Sequence, residues 1–339
     1  MSVLSTDPKK VCAVLGAGSW GTALSLLLAK NGYAVRLWDR SVAQVNAINE
    51  GYENRRYLPG IALPPVISPT ADLENAVDGV AAVIVAVPST AVRAVLAEVV
   101  SHLAAGTDLV LAAKGMEAET GQLPSEVATS LFPAGGSEVT VLSGPNLASE
   151  VAKGVPTAAV AACPYEPAAK RVAALFNSPT FRVYTSADRE GVEIGGAVKN
   201  VLAIAGGVSD GLGFGDNTKA ALLTRGLAEM ARFGAASGAR RDTFYGLAGV
   251  GDLMATAASR LSRNYRVGEG IAKGESLSDV LARLGQVAEG VTTAKAVTAR
   301  ARGIGVEMPV CDAVARLLFE GTSPFTEVNA LMTRTPKEE

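Results

Sequence analysis

The glycine-rich segment GAGSWG at positions 16–21 constrains the fold of this chain more than any other feature. It follows an apolar run at 11–15 and opens a helical pattern over 22–30. A second apolar run then ends on Asp39, 23 positions after Gly16. Strand, glycine turn, helix, strand and acidic residue in that order are the context that a dinucleotide-binding fingerprint requires. The segment predicts such a site; the alternative is a glycine turn with only a structural role.

The three fingerprint glycines have separate expected roles. Gly16 permits the tight turn, Gly18 lets the backbone approach a pyrophosphate without a Cβ in the way, and Gly21 lets the helix pack closely on the strand. The N-terminus of that helix offers unpaired N–H groups and a partial positive charge to the phosphates.

The pattern of the remaining chain predicts two domains, which 339 residues also favour. Continuous apolar runs at 81–87, 108–113 and 140–143 alternate with helical stretches, as in a parallel sheet covered on both faces. From about 188 onward the pattern is helical. We therefore predict a Rossmann-type α/β domain with a mainly parallel sheet at 1–187 and an all-α domain at 188–339.

Several polar or glycine-containing segments follow the predicted strands. Because ligands of such sheets bind beyond the carboxyl ends of the strands, Ser89, Lys114 and the segment 144–146 are expected in one crevice with the glycine turn.

Composition narrows the class of protein. A net charge of −2 gives no broad basic surface for nucleic acid or an anionic membrane. The first ten residues lack the apolar core of a signal peptide, and we identify no uncharged apolar stretch long enough to cross a bilayer. Three scattered cysteines show neither zinc-ligand nor disulfide spacing, so we expect a cytoplasmic protein without a metal.

The chain has one histidine, His102, which lies at the predicted end of a surface helix. A solvent-facing polar residue is the simplest interpretation. If the chain is a dehydrogenase, a lysine or a carboxylate must therefore carry the proton.

Lys199 is the first candidate. Helical spacing places it on one face with Val192, Gly195 and Leu202, where burial would disfavour its charged form and make it a proton carrier near neutral pH. The alternative is a lysine whose stem lies along a helix edge with its amine in solvent.

Asp252 and the triplet Ser262-Arg263-Asn264 are further candidates. Asp252 stands where a helix is about to begin and has an N-cap aspartate as its alternative. The planar fork of Arg263 suits a phosphate dianion, and serine and asparagine add hydrogen bonds. Taken alone, such a triplet is a weak signal and belongs more often to an ordinary surface than to a site.

Eight segments together establish a family resemblance over residues 10–330. They are, in order, GAGSWGTAL at 16–24, Tyr57-Leu58-Pro59-Gly60, Ala113-Lys114-Gly115, Ser143-Gly144-Pro145, GGAVKN at 195–200, GLAGVGDL at 246–253, Ser262-Arg263-Asn264 and Val287-Ala288-Glu289-Gly290. In this order and spacing the chain closely resembles the bacterial NAD(P)-dependent sn-glycerol-3-phosphate dehydrogenases.

The resemblance implies interconversion of sn-glycerol 3-phosphate and dihydroxyacetone phosphate, usually in the reducing direction that supplies phospholipid synthesis. It implies that Lys199 exchanges a proton with the oxygen at C2, that Asp252 assists by hydrogen bonding, and that Lys114 adds positive charge. The implied substrate residues are Lys114, Gly144, Asn146, Lys199, Asp252, Ser262, Arg263 and Asn264. The implied cofactor residues are Gly16, Gly18, Ser19, Trp20, Gly21, Asp39, Arg40, Tyr57, Lys114, Ala148, Arg263, Val287 and Glu289.

The preferred cofactor stays open between two neighbouring residues. Asp39 is placed to bind the ribose 2′-hydroxyl of NAD, whereas Arg40 suits the 2′-phosphate of NADP. Because members of the family commonly read that phosphate with a basic residue at the second position, we expect NADPH to be favoured and NADH tolerated. Many members carry Ser or Thr at the position of Asn146, which leaves the hydrogen bond made there open.

Two other functions compete with this prediction. One is a related two-domain dehydrogenase acting on a different hydroxy acid or an acyl thioester, which the phosphate-suited triplet argues against. The other is a nucleotide-sensing protein without turnover, which the presence of Lys199, Asp252 and Arg263 argues against. A nucleic-acid role has no support in the charge distribution. A homodimer is expected, because dimers are the commonest symmetric assembly.

Overall fold

The computed structural model describes residues 10–132 and 138–335, which pack into two compact units. Of the described residues, 10–113, 123–132 and 138–192 form the first unit, and 114–122 and 193–335 form the second. The domain division at 187/188 stays a prediction. The packing adds that the short segment 114–122 belongs with the second unit.

The first unit is built on one sheet of eight strands in the order β3-β2-β1-β4-β5-β6-β7-β8. The strands are β1 (Val11–Leu15), β2 (Ala34–Trp38), β3 (Ile67–Thr70), β4 (Ala82–Val85), β5 (Asp108–Leu111), β6 (Val139–Ser143), β7 (Thr157–Ala162) and β8 (Phe181–Ser186). All pairs are parallel except β6 with β7, which is antiparallel. The mainly parallel sheet is therefore confirmed.

Strands β1 and β4 are apolar throughout because both faces of the sheet are covered. Leu15 and Val85, paired in register at the carboxyl ends of β1 and β4, are fully buried. The helices of this unit are α1 (Ser19–Lys30), α2 (Val42–Gly51), α3 (Leu73–Val77), α4 (Val92–Val99), α5 (Pro124–Leu131), α6 (Ala148–Ala152) and α7 (Glu166–Phe176).

The second unit is helical, as expected, and its described residues contain no strand. Its helices are α8 (Arg189–Gly211), which begins in the first unit, α9 (Asp216–Ala236), α10 (Asp252–Ala257), α11 (Arg263–Ala272), α12 (Leu277–Leu284), α13 (Glu289–Gly303), α14 (Pro309–Phe319) and α15 (Pro324–Met332). A short π-helical turn, Leu247–Gly251, leads directly into α10.

Helix α8 has the length and composition of a weak candidate for a membrane span among the described residues. Its most apolar stretch is entirely buried in the protein, as is common for a core helix. The sequence does not predict a membrane span here, because charged residues interrupt the apolar positions of this helix.

Candidate functional site

The glycine turn of the first unit has the shape that a pyrophosphate needs. Gly16 has φ +113°, and a Cβ there would lie 2.9 Å from the carbonyl of Ala86, so only glycine fits. A Cβ on Gly21 would overlap the carbonyl oxygen of Gly16. By contrast, a Cβ on Gly18 would meet nothing within 4 Å, which leaves open space beside the turn.

Backbone N–H groups at this turn have no hydrogen-bond acceptor among the described residues. Helix α1 begins at Ser19 with no acidic residue in its first turn. Within residues 10–132 and 138–335, nothing accepts a hydrogen bond from the N–H of Gly18 or Ser19. Free N–H groups at a helix N-terminus attract anions, so this turn fits the phosphates of a dinucleotide.

The acidic residue after β2 is held in place by its own backbone turn. Asp39 Oδ1 accepts a hydrogen bond from the N–H of Ser41 at 2.9 Å, and Ser41 in turn caps α2. Asp39 is half-buried, whereas Arg40 is exposed. One fixed carboxylate and one free guanidinium therefore stand side by side at the end of β2.

Other predicted cofactor residues of this unit lie around the turn. Ser19 Oγ donates to the carbonyl oxygen of Tyr57 at 2.7 Å, which ties the loop at 52–60 to the start of α1. Trp20 and Ala148 are partly buried and pack against the same apolar core.

Gly144 and Asn146 follow β6 in the first unit. Asn146 Nδ2 donates to the carbonyl oxygen of Ala158 at 2.9 Å. Its Oδ1 is buried and accepts no hydrogen bond from any described residue. An unpartnered buried acceptor suits a ligand that brings a donor.

The centre of the second unit is a carboxylate shared by two lysines. Lys199 Nζ lies 2.8 Å from Asp252 Oδ1, and Lys114 Nζ lies 2.9 Å from Asp252 Oδ2. Lys199 Nζ also donates to Thr256 Oγ1 at 2.7 Å. No other described residue accepts a hydrogen bond from the third N–H of the Lys199 ammonium. One charge-bearing donor is therefore left for a ligand.

Close packing explains how α8 and α10 bring these side chains together. A Cβ on Gly195 would overlap the carbonyl oxygen of Ala248, so glycine lets the π-helical turn lie directly against α8. Lys199 follows one helical turn later and meets Asp252 at the start of α10. The N-cap of α10 is Gly251, so the alternative that Asp252 merely caps this helix is wrong. The edge-lysine alternative for Lys199 is also wrong, because its side chain is 8% exposed.

The electrostatics of this cluster bring the pKa of Lys199 toward neutrality and keep Asp252 ionised. Burial lowers the pKa of Lys199 to about 8; the positive charge of Lys114 adds to this, and Asp252 opposes it. Burial alone would raise the pKa of Asp252, but Lys114 and Lys199 outweigh it, so the pKa of Asp252 lies below its usual range. Asp252 is therefore an anion that holds two ammonium groups.

Two asparagines form a chain that supports this cluster. Asn200 Nδ2 donates to the carbonyl oxygen of Lys114 at 2.7 Å, and its Oδ1 accepts from Asn264 Nδ2 at 2.8 Å. Asn264 Oδ1 accepts from the N–H of Gly290 at 2.9 Å. One amide hydrogen of Asn264 remains for a ligand, since the other atoms of this amide are already bonded.

The rest of the triplet has mixed surroundings. Ser262 is buried and caps α11, accepting from the N–H of Tyr265 at 3.2 Å. Arg263 is half-buried, and its Nη1 lies 3.4 Å from Gln286 Oε1. Its positive charge is close enough to Lys199 to help lower the pKa of that lysine. Val287 is exposed in the same unit, and Glu289 begins α13.

Sequence reasoning missed Thr256 and Asn200. Asn200 stands inside the GGAVKN segment, and Thr256 lies one helical turn after Asp252, so an i to i+4 search from Asp252 would have found it. Across the described part of the chain, no group of three acidic, histidine or cysteine residues is arranged to hold a metal ion.

Comparison with known proteins gives one consistent family. Residues 11–169 match the family model for the NAD-dependent glycerol-3-phosphate dehydrogenase N-terminus, and residues 188–329 match the model for the C-terminus of the same enzymes.

Similar proteins cover almost the whole chain. A glycerol-3-phosphate dehydrogenase (NAD(P)+) of Thermus thermophilus is 53% identical over 96% of this chain and 99% of its own length. One from Anaeromyxobacter dehalogenans is 50% identical over 96% and 98%. The crystal structure of glycerol-3-phosphate dehydrogenase from Coxiella burnetii superposes with a TM-score of 0.93 at 38% identity, covering 96% of this chain and 99% of that one.

Proposed function

Since the chain belongs to the family of NAD-dependent glycerol-3-phosphate dehydrogenases, we propose that Lys199 is the residue that exchanges a proton with the substrate in its reaction. The protein is an oxidoreductase that interconverts sn-glycerol 3-phosphate and dihydroxyacetone phosphate with NADH or NADPH. Its reducing direction feeds glycerophospholipid synthesis.

The observation that carries this assignment is the buried Lys199 ammonium with one unused donor. When bound, the nicotinamide supplies or accepts the hydride at C2 of the substrate. In reduction, Lys199 gives its proton to the oxygen at C2, and in oxidation the neutral amine takes the proton from the hydroxyl. With a pKa of about 8, Lys199 populates both forms near neutral pH.

The neighbouring residues have supporting roles in this proposal. Lys114 adds positive charge beside the substrate oxygen as negative charge develops there. Asp252 holds both ammonium groups at fixed distances. Thr256 orients Lys199 by accepting a hydrogen bond from its Nζ.

Phosphate recognition is proposed for Arg263, whose planar guanidinium binds two oxygens at once. Asn264 contributes its remaining amide hydrogen, and Ser262 fixes the start of the helix that carries both. In the first unit, Gly144 and the free Oδ1 of Asn146 are proposed to meet the substrate hydroxyls.

The cofactor is proposed to bind the first unit at Gly16, Gly18 and Gly21, with Ser19, Trp20, Tyr57 and Ala148 around the turn. Lys114, Arg263, Val287 and Glu289 are proposed as further contacts. NADPH is favoured because the exposed guanidinium of Arg40 suits a 2′-phosphate.

The setting of the enzyme is also a proposal. The expected form is a cytoplasmic homodimer that acts on a small phosphorylated substrate, does not bind nucleic acid and makes no integral membrane contact. Size measurement in solution tests the dimer.

The decisive experiment follows the loss of nicotinamide absorbance with dihydroxyacetone phosphate and, separately, with dihydroxyacetone. Oxidation of the reduced nicotinamide with dihydroxyacetone phosphate but not with dihydroxyacetone supports the proposed substrate. Equal rates with both compounds, or oxidation only with an unrelated keto acid, would favour another dehydrogenase. Binding of NADPH without any turnover would favour a nucleotide sensor.

A further inference from the structure

The fully buried side chain of Asn54 connects three segments of the first unit. Its Nδ2 donates to the carbonyl oxygen of Ala17 and to Thr22 Oγ1, both at 2.8 Å. Its Oδ1 accepts from Gln44 Nε2 at 2.8 Å and from the N–H of Tyr57 at 3.3 Å. Both amide hydrogens and both acceptor positions are therefore used. Such a saturated amide inside a core holds its partners in one arrangement.

Thr22 extends this network to the second fingerprint glycine. Its hydroxyl donates to the carbonyl oxygen of Gly18 at 2.8 Å. A hydroxyl has one hydrogen, so accepting from Asn54 leaves that hydrogen for Gly18. Asn54 thus holds the carbonyl of Ala17 directly and that of Gly18 through Thr22.

Holding these carbonyls also aims the N–H groups of the turn. In a trans peptide the C=O of one residue and the N–H of the next point in opposite directions. The anchored carbonyl of Ala17 turns the N–H of Gly18 away from Asn54, and the anchored carbonyl of Gly18 does the same for Ser19. Neither of these two N–H groups donates to a described residue.

The same residue ties down the loop that contacts the turn. Asn54 accepts from the N–H of Tyr57, while Ser19 Oγ donates to the carbonyl oxygen of Tyr57. Glu53 closes the loop further along, accepting from the N–H of Gly60 at 2.7 Å.

We propose that Asn54 is a positioning residue for the dinucleotide: it presets the N–H groups of Gly18 and Ser19 toward the pyrophosphate. The inference rests on the proposed function, because it assumes that the phosphates bind at this turn. Asn54 itself does not touch the cofactor. Its loss lets the Ala17–Gly18 peptide rotate and weakens the hold on the Gly18–Ser19 peptide, whose carbonyl oxygen still accepts from the N–H of Thr22 at 3.0 Å. Binding must then restore the orientation of the first peptide, so affinity falls.

The test measures NADPH affinity directly, by fluorescence titration without substrate, together with the thermal midpoint of the free protein. Asn54→Ala and Asn54→Asp should each raise the Kd for NADPH at least about tenfold. The KM for NADPH should rise in parallel, while kcat at saturating NADPH and the KM for dihydroxyacetone phosphate should stay within about twofold of the parent values.

Asn31→Ala is the matched control, because Asn31 lies at the other end of α1. Its Nδ2 donates to the carbonyl oxygens of Leu175 and Asn177 at 2.8 and 3.1 Å. This variant should lower the thermal midpoint without changing the Kd for NADPH. Equal changes in Kd for Asn31→Ala and Asn54→Ala would mean that Asn54 has only a structural role.

Thr22 provides a second test that does not depend on the folding of the Asn54 variants. Thr22→Val keeps the shape and removes the hydroxyl, whereas Thr22→Ser keeps the hydroxyl. A weaker NADPH complex in Thr22→Val, restored in Thr22→Ser, supports the relay, and equal affinities in the two overturn it. If the parent protein binds NADPH but does not reduce dihydroxyacetone phosphate, the proposed function fails while these binding results still decide the role of Asn54.

Discussion

Lys199 and Asp252 form a buried ion pair, with Nζ and Oδ1 2.8 Å apart. The lysine has its ammonium partly neutralised by burial, and the aspartate stays ionised because Lys114 occupies its second oxygen. A lysine in this state can release and regain a proton near neutral pH without losing its position.

Replacing Lys199 should stop the reaction while leaving the dinucleotide bound. Lys199→Ala removes the proton donor, so kcat should fall by roughly a thousandfold, the scale of general acid–base catalysis. The Kd for NADPH should stay within about twofold, as measured by fluorescence titration. Lys199→Arg keeps the charge but holds its proton too firmly to exchange it, so it should be nearly as slow. Near-normal turnover in either variant would remove Lys199 from the proposed role.

The two directions of the reaction should depend on pH in opposite ways. Reduction needs protonated Lys199 and should decline as pH rises through about 8, whereas oxidation needs the neutral amine and should rise up to that pH. Rate profiles of kcat/KM for both substrates between pH 6 and 10 would measure this (roughly the range over which such a group titrates). Two profiles that fall together on the alkaline side would point to another group.

The lowered pKa of Lys199 also makes the free energy of unfolding depend on pH. Between about 8 and the ordinary value of 10.5, the unfolded chain binds more protons at this residue than the folded chain. The free energy of unfolding therefore gains a contribution that rises with pH in this window. Lys199→Met should lack that rise.

Neutralising Asp252 should expose the repulsion between the two lysines. In Asp252→Asn, Lys114 and Lys199 lose the anion that separates them, so the free energy of unfolding at neutral pH should fall by about 3 kcal/mol or more. The pKa of Lys199 should fall further, so kcat/KM for reduction should begin to decline at a lower pH. Asp242→Asn, at an exposed position of the same unit, is the control for both measurements. If that decline occurs at the same pH as in the parent, Asp252 does not set the protonation of Lys199.

Local patterns were sufficient to predict the fingerprint turn and the parallel strands and to single out Lys199 and Asp252 as candidates. Each of these has its signal within a few consecutive residues. Strand β7 was missed because four of its six residues are alanine, which is depleted in strands, although it pairs with β6 and β8.

Long-range contacts explain the remaining misses. Asn54 stands in a polar loop, and its partners Ala17 and Thr22 are 37 and 32 positions away along the chain. Thr256 becomes significant only when Lys199, 57 positions earlier, lies beside it. The contacts of Asn54 leave no local pattern, so only the packed structure reveals this residue. The i to i+4 spacing places Thr256 beside Asp252, but its contact with Lys199 is seen only in the packed structure.

Asp39 should decide the discrimination between the cofactors. Its carboxylate suits a ribose hydroxyl and repels a 2′-phosphate, so Asp39→Ala should raise the ratio of kcat/KM for NADPH over NADH by about tenfold, or ~1.4 kcal/mol. Arg40→Ala, the neighbouring control, should move this ratio the other way. An unchanged ratio in Asp39→Ala would show that Asp39 does not contact the ribose.

Glu229 should make the helical unit less stable as pH rises toward neutrality. Its carboxyl is buried and accepts from the N–H groups of Val310 and Cys311 at 2.8 and 3.2 Å, at the start of α14. Burial raises its pKa from 4.5 to about 7, against the lowering effect of those two hydrogen bonds. Between these values the folded chain binds more protons than the unfolded chain, so the free energy of unfolding contributed by Glu229 falls as pH rises.

Denaturant unfolding at pH values below and above this window measures the effect of Glu229. Glu229→Gln cannot titrate, so its stability relative to the parent should improve as pH rises from 4.5 to about 7. Glu327→Gln is the matched control, since Glu327 is also buried but pairs with Arg316, which lowers its pKa. Glu327 stabilises the folded chain above pH 4.5, and this contribution is lost as pH falls. The free energy of unfolding of Glu327→Gln should therefore lie furthest below that of the parent at the higher pH. The same pH trend in both variants would contradict the assignment, because it would mean that Glu229 is ionised in the folded protein throughout this range.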